Sequence, residues 1–592
     1  MATAAAQTDR DLASIAEARA LVRRARAAQA ILAEHSQAQI DAIVDAMAAA
    51  VTPHAEALAR LAVEETGFGV VADKVQKNLF ASERVHAFIR PIPTVGVVRR
   101  DDEKKIIEIA EPFGVVAAIV PSTNPTSTAI YKLLISIKAR CAVVLSPHPS
   151  AARCITRTAE IMSEAARGAG LPDGAIGWMT TVTLEGTQEL MKAREVSVIL
   201  ATGGMGLVRA AYSAGKPAYG VGPGNAPCYV ESTADVARAA RDIVAGKSFD
   251  NGVLCSSPNS VVADRAIDQE LRRAFADRGG HFLSASEGEA LAKLLVTPQR
   301  LPNPALVGKS ATFIAEQLGA TVPPDTRALL VELNGVGRDF PLSIEKLCPV
   351  LSYYVVSDWR EGCERCKQIL RYGGMGHTMS IHSLNDAVIL EFGLHKPAFR
   401  IVVNTPTTHG SIGLTTGLDP AMTLGCGGFG GNITSDNISP RHLLNIKRLA
   451  YGIREVPETT GLTSRRSAPP DSVQHDAATA PAATTPALPK APARPPADPV
   501  AASTLAARID QFLASRGVAR PEPPSSAMPR ADTPTAPAQP SQTPVPFVCE
   551  DDVRAAQREG RTLLVNERTI ITPAARDAGE AARVFVWQGW RS

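Results

Sequence analysis

The stretch that most constrains this chain is GVVAAIV at residues 114–120, almost wholly apolar and far shorter than a membrane span. A strand without polar alternation has to be covered on both faces, as happens in a parallel sheet flanked by helices. The neighbouring sequence supplies that setting. Residues 106–110 (IIEIA), 141–145 (CAVVL), 196–200 (VSVIL) and 227–230 (PCYV) read as further strands. Residues 151–169 and 205–214 between them read as helices, and 9–51, rich in Ala, Leu and Arg, as helices leading in. This alternation predicts a doubly wound α/β domain. No GxGxxG follows the first strong strand, so any nucleotide has to be held another way. Alternation resumes at 260–262, 305–307, 329–332 and 401–404, which predicts a second α/β domain. The run GCGGFGGN at 425–432 is too rich in glycine for a regular element and marks a tight reversal or a close approach to a ligand. Globular patterning stops near Pro457.

Composition excludes several function classes. A net charge of +3 on 592 residues, with no basic run, argues against nucleic acid as a partner. The N-terminus lacks the apolar core of a signal peptide, and no run of ~18 apolar residues offers a membrane span. A soluble, cytoplasmic protein is expected. Nine cysteines in no regular framework fit a reducing compartment. Cys363 and Cys366 form a CxxC with no second pair behind it, which reads as two helix residues one turn apart. No metal site is expected.

Chemistry concentrates in a few short stretches. KSFDNGVLCSS at 247–257 sets Cys255 after a polar segment in which Gly252 allows a sharp turn. A thiol is the best side-chain nucleophile near neutral pH, although a lone cysteine is more often a small buried hydrophobe. In VPSTNPTS at 120–127, Asn124 follows a buried strand beside a rigidifying proline, where its amide could donate to an oxyanion or cap a turn. ATGGMG at 201–206 and GVGPGNAP at 220–227 are glycine-rich turns through which a phosphate or a flat ring could reach backbone N–H groups. Glu345 and His377 sit in segments that read as loops of the second domain.

Taken together and in this order, these motifs resemble the aldehyde dehydrogenase superfamily. Within it the likeness is to the CoA-acylating branch, and most of all to the aldehyde dehydrogenase half of bifunctional aldehyde–alcohol dehydrogenases. It covers about residues 8 to 455 and includes 121–151, 201–227, 249–255, 374–378 and 430–445. The resemblance implies that Cys255 is the nucleophile and that Asn124 and the Cys255 backbone N–H bind the oxyanion. His377 matches a histidine that the branch keeps near the active site. Gly203 and Gly204 fall where the family packs the nicotinamide, and Thr123, Thr202 and Gly222 are implied as further cofactor-binding residues. Glu345 falls where the family holds the nicotinamide ribose, and Ser146, Pro147 and His148 fall along the adenosine groove. Dimers or tetramers are implied as well.

One departure bears on the reaction. Hydrolytic members carry a Glu that activates water against the thioester; here that position is Gly220, or Val221 if the alignment slips by one. Neither can act as a base. The expected reaction is therefore oxidation of a small aldehyde by NAD⁺ through a Cys255 thioester that CoA then takes up. Ser146 stands where many NADP-accepting members place a Lys, which favours NAD⁺. The alternatives are an enzyme releasing the free acid, an acylating sulfoacetaldehyde dehydrogenase, and a catalytically silent assembly protein. The intact set of Asn124, Cys255, Glu345 and His377 argues against the last.

The expected divisions are 1–245 (N-terminal helices and NAD-binding domain), 246–430 (catalytic domain) and 431–456 (return segment). Beyond them come a disordered Pro/Ala-rich linker at 457–500, an amphipathic helix at 501–517, a second linker at 518–546 and a small end segment at 547–592. In the helix, Leu505, Ile509, Phe512 and Leu513 share a face, Ser503 is an N-cap and Gly517 a stop. This stretch resembles the encapsulation peptides that carry enzymes into bacterial microcompartments, which implies shell or cargo proteins as partners of 503–516 and the compartment lumen as location. The end segment is expected to hold a helix at 550–559, a strand pair at 562–565 and 569–571, and a short helix after Pro573, with too little core to stand without a partner.

Overall fold

The structure is a computed structural model and describes residues 2–454, 545, 547–566, 569–571, 575–576, 578–579 and 582–587. The linkers and the amphipathic helix expected between 457 and 546 lie outside the described residues, Val545 aside. The chain divides into two units, Met1–Leu462 and Thr463–Ser592.

The first unit holds two parallel sheets and one small antiparallel one. Val115–Val120 is buried at every residue, as its sequence requires, and lies at the centre of a five-stranded sheet. Reading across, the order is Ile176–Trp178, Ala142–Pro147, Val115–Val120, Val196–Thr202 and Ala218–Val221, all parallel. The chain therefore reverses its direction of build-out between Val115–Val120 and Val196–Thr202. In an open parallel sheet that is where a crevice forms, outside the carboxyl ends of the strands. Lys132 spans it from beneath, donating to the carbonyls of Ile119 at 2.6 Å and Leu200 at 2.9 Å.

The second sheet has seven parallel strands. Their order is Gly280–Phe282, Ala328–Glu332, Val350–Val356, Pro258–Asp264, Ala226–Val230, Gly376–His382 and Ala398–Val403. Because Ala226–Val230 and helix Val236–Ser248 belong here, the division between the sheets falls between Val221 and Ala226, not at 245/246 as expected. The doubly wound α/β reading holds for both sheets. The strand expected at 305–307 is instead a 3₁₀ turn, Pro304–Leu306, started by the Asn303 side chain accepting from the Ala305 N–H at 3.1 Å. Pro302 and Pro304 remove ladder donors there, so a strand would go unpaired. His377 is not in a loop but near the start of strand Gly376–His382, which is buried throughout. The return segment ends in Leu444–Ala450, which pairs antiparallel with Ile106–Pro112 beside Gly96–Asp101.

In the second unit, helix Glu550–Arg558 forms as expected. The two expected strands do not pair with each other. Leu563–Val565 pairs parallel with Phe585–Trp587, and Phe547–Val548 pairs parallel with Ile570–Ile571. Val548, Val553, Leu563, Val565 and Val584 give this segment a small core of its own.

Candidate active site

A cavity of about 470 Å³ opens at the crevice of the five-stranded sheet. Residues 121–124 enter it from the end of one central strand and 202–204 from the end of the other. The seven-stranded sheet meets it with the opposite polarity. Cys255 comes just before Pro258–Asp264, Gly224 just before Ala226–Val230, and His377 stands near the amino end of Gly376–His382. Carboxyl ends of one sheet thus face amino ends of the other.

The cavity lining takes in Thr123, Asn124, Ser146, Pro147, His148, Thr202, Gly203, Gly204, Gly222, Cys255 and Glu345. His377 is the expected site residue that stays off it. Its ring packs where a β-carbon on Gly224 would sit 3.1 Å from its Cγ and 2.1 Å from the Cys255 carbonyl oxygen. Only glycine fits between the two. His377 Nδ1 lies 2.9 Å from Thr378 Oγ1, while Nε2 is buried without a protein partner. Burial, and then the nearby Arg400 guanidinium, push its pKa down to about 3, so the ring is neutral at working pH.

Cys255 is half-buried with a free thiol, behind a turn in which Gly252 takes φ 72°. Burial pushes the thiol up to about 12, with Glu345 and Cys426 adding to the shift and Arg400 opposing it. Glu345 is itself pushed up to about 8 by burial, against the pull of the Gly224 N–H it accepts at 2.9 Å and of Lys247 and Lys346. It is the one acid among the described residues that line the cavity.

Asn124 precedes helix Pro125–Lys138 without capping it through its side chain. Its Nδ2 donates to Thr123 Oγ1 at 3.2 Å, and its Oδ1 accepts from Lys77 Nζ at 2.6 Å. Gly220 carries no acid and faces away from the cavity, exchanging hydrogen bonds with the Tyr212 hydroxyl at 3.1 and 3.2 Å. The residue that lines the cavity there is Val221, so water finds no base on that side.

Two features fit a bound nucleotide. A β-carbon on Gly204 would meet nothing of the protein within 4 Å, so packing does not demand glycine there, whereas the approach of a flat ligand would. Thr202 Oγ1 is buried with no protein partner at the same rim. At the other end Ser146 Oγ lies 2.8 Å from Thr187 Oγ1.

Comparison with known proteins gives the family. Residues 2–282 match the model of the aldehyde dehydrogenase family. An acetylating aldehyde dehydrogenase of Geobacillus thermoglucosidasius is 48% identical, with TM-score 0.74, over 76% of this chain and 99% of that one. The chain belongs to the aldehyde dehydrogenase family. It is 42% identical to the bifunctional aldehyde–alcohol dehydrogenase AdhE of Escherichia coli over 74% of this chain and 50% of that protein, so it spans half the length of that relative. A propionaldehyde dehydrogenase from the fucose-utilisation bacterial microcompartment of Clostridium phytofermentans is 29% identical, with TM-score 0.66, over 73% of this chain and 96% of that one.

Sequence reasoning missed the charged groups beneath the site: Lys74, Lys77, Asp250, Lys247 and Arg400. Asp250 was legible, lying in the cysteine stretch itself. Two lysines three apart at 74 and 77 carry no mark of burial in the sequence, yet they are 1% and 2% exposed. Among the described residues no helix is long and apolar enough to cross a membrane.

Proposed function

We propose that this enzyme oxidises a small aldehyde to its acyl-CoA with NAD⁺ and CoA, through a thioester on Cys255. The observation that carries the reading is that Cys255 and Asn124 line one cavity in which Val221 stands where hydrolytic members carry their water-activating Glu. The Cys255 thiol loses its proton to solvent, the thiolate adds to the aldehyde carbon, and the oxyanion is held by Asn124 Nδ2 and the Cys255 backbone N–H. Hydride leaves that carbon, giving a thioester. The CoA thiol then attacks the acyl carbon, Cys255 leaves as thiolate, and acyl-CoA departs. The balance is aldehyde, NAD⁺ and CoA to acyl-CoA, NADH and a proton. Bound NAD⁺ supplies the hydride acceptor; Gly203, Gly204, Thr123, Thr202, Gly222 and Glu345 would hold its nicotinamide end, and Ser146, Pro147 and His148 its adenosine end. With Ser146 and no lysine at that rim, NAD⁺ is the favoured form. His377, expected near the active site, acts as support: a ring pushed down to about 3 and packed on Gly224 holds the shape of the cysteine loop.

The acetylating and propionaldehyde relatives support acetaldehyde or propionaldehyde as the substrate class. Oligomerisation is supported by two open edge strands with exposed apolar residues, Phe399 and Val403 on one and Leu449 on the other. A location in a microcompartment lumen, with 503–516 as the address, rests on the sequence of that stretch and on the microcompartment relative. Weak helices of this kind gain from the several copies an oligomer presents. The test is NADH formation from propionaldehyde with and without CoA, with the acyl product followed by mass. Turnover that requires CoA and yields propionyl-CoA supports the reading; equal turnover to propionate without CoA sinks it.

A further inference from the structure

One ammonium group touches both halves of this chemistry. Lys77, on helix Val71–Leu79, reaches Asn124 Oδ1 at 2.6 Å and also donates to Asp250 Oδ2. One turn earlier, Lys74 donates to the same Asp250 oxygen at 3.0 Å and to the Thr123 carbonyl at 3.2 Å. The i,i+3 spacing puts both on one face of the helix.

Asp250 belongs to the loop that carries Cys255. It and Asn251 take φ of 50° and 54°, left-handed conformations that residues with a side chain keep only where their surroundings impose them. The surroundings of Asp250 are specific. Besides the two lysines on Oδ2, the Val70 N–H donates to Oδ1 at 2.7 Å, and the Asp250 N–H donates to Asp73 Oδ2 at 2.7 Å. The side chains of Lys74 and Lys77 are each 2% exposed and that of Asp250 not at all, so these contacts act where water screens them little.

A primary amide has one acceptor oxygen and one NH₂ group. A cation on the oxygen decides which way the amide is turned, and with one N–H on Thr123 Oγ1 it leaves the other to face a developing oxyanion. It also draws electron density from the amide, so that N–H donates more strongly. We propose that Lys77 is a positioning residue of the oxyanion site: held in place by Asp250, it fixes the orientation of Asn124. Lys74 anchors the adjoining Thr123 carbonyl in the same way. The inference rests on Asn124 being the oxyanion donor.

A double-mutant cycle separates the two ideas. Asn124→Ala alone lowers kcat about 100- to 1000-fold. Lys77→Met alone lowers it about 10- to 100-fold, but less than about twofold in the Asn124→Ala background, because its effect passes through the amide. Iodoacetamide alkylation of Cys255, which forms no oxyanion, and the KM for NAD⁺ both stay within about twofold in Lys77→Met. If that protein does not fold, Lys77→Gln, a neutral donor, carries the same cycle. Equal proportional losses in both backgrounds, or alkylation falling together with kcat, would overturn the positioning role. Full activity of Asn124→Ala would instead remove the oxyanion reading beneath it.

Discussion

Each of the two parallel sheets holds a strand buried at every residue, and the two strands differ in what they bury. Val115–Val120 carries no polar side chain, whereas Gly376–His382 carries His377, Thr378, Ser380 and His382 with every residue inside. In the second sheet some of the polar groups pair with one another, while His377 Nε2 and His382 Nε2 are buried without a protein partner. Ser380 Oγ donates to Cys228 Sγ at 2.8 Å, Thr407 Oγ1 donates to Ser380 Oγ at 2.8 Å, and Thr378 lies against His377. Buried polar groups are tolerated when paired and costly when not. The apolar strand is a platform from whose end the loop at 121–124 lines the cavity. The polar sheet is part of the site, because the backbone that positions Cys255 packs directly on its strand starts.

The largest effect that would sharpen this contrast comes from the seam itself. Cys255→Ser should lower aldehyde-dependent NADH formation by at least about 1000-fold, measured at saturating NAD⁺, since an unactivated hydroxyl is a far weaker nucleophile than a thiolate. Next, Gly224→Ala forces a β-carbon to 2.1 Å from the Cys255 carbonyl. It should destabilise the fold by about 1–3 kcal/mol in urea unfolding and cut activity far more than that loss explains.

Two substitutions test the sheets against each other. Ala117→Ser puts an unpaired hydroxyl into the apolar sheet and should cost about 1–3 kcal/mol. Ser380→Ala removes one member of a paired set and should cost about 1 kcal/mol, with a measurable further loss in activity. If the first is silent and the second is not, the platform is more permissive than its burial implies.

The smallest effect is one of pH. Glu345, raised to about 8, is protonated below that value and a carboxylate above it. If it accepts from the nicotinamide ribose, the KM for NAD⁺ should fall as pH rises through about 8, and Glu345→Gln should flatten the profile. The stability sign is the opposite. The folded state holds this proton more tightly than the unfolded one, so the contribution is present at low pH and is lost as pH rises towards 8.

How much of this the sequence discloses follows from the same contrast. The strand at 114–120 was legible because nothing but a doubly covered sheet suits seven such residues in a row. The strand at 376–382 was not, because GHTMSIH reads as a loop until its partners on other strands are known. That Cys255, Asn124 and the glycine-rich turns at 202–204 and 222 would meet at one cavity was legible from motifs, since loops at strand ends carry their own glycines and prolines. Lys77 was not, because a buried lysine differs from a solvated one only through Asp250 and Asn124, which are distant in sequence.

The most direct test of the central claim is a single-turnover experiment without CoA: propionaldehyde and excess NAD⁺ mixed with the enzyme, NADH followed by stopped flow and the protein by intact mass. A burst of about one NADH per site that then stalls, with a propionyl adduct on Cys255 that added CoA discharges, is the predicted result. Continuous NADH production with no adduct would contradict it, because the thioester would then have found water without the help that Val221 and Gly220 do not give.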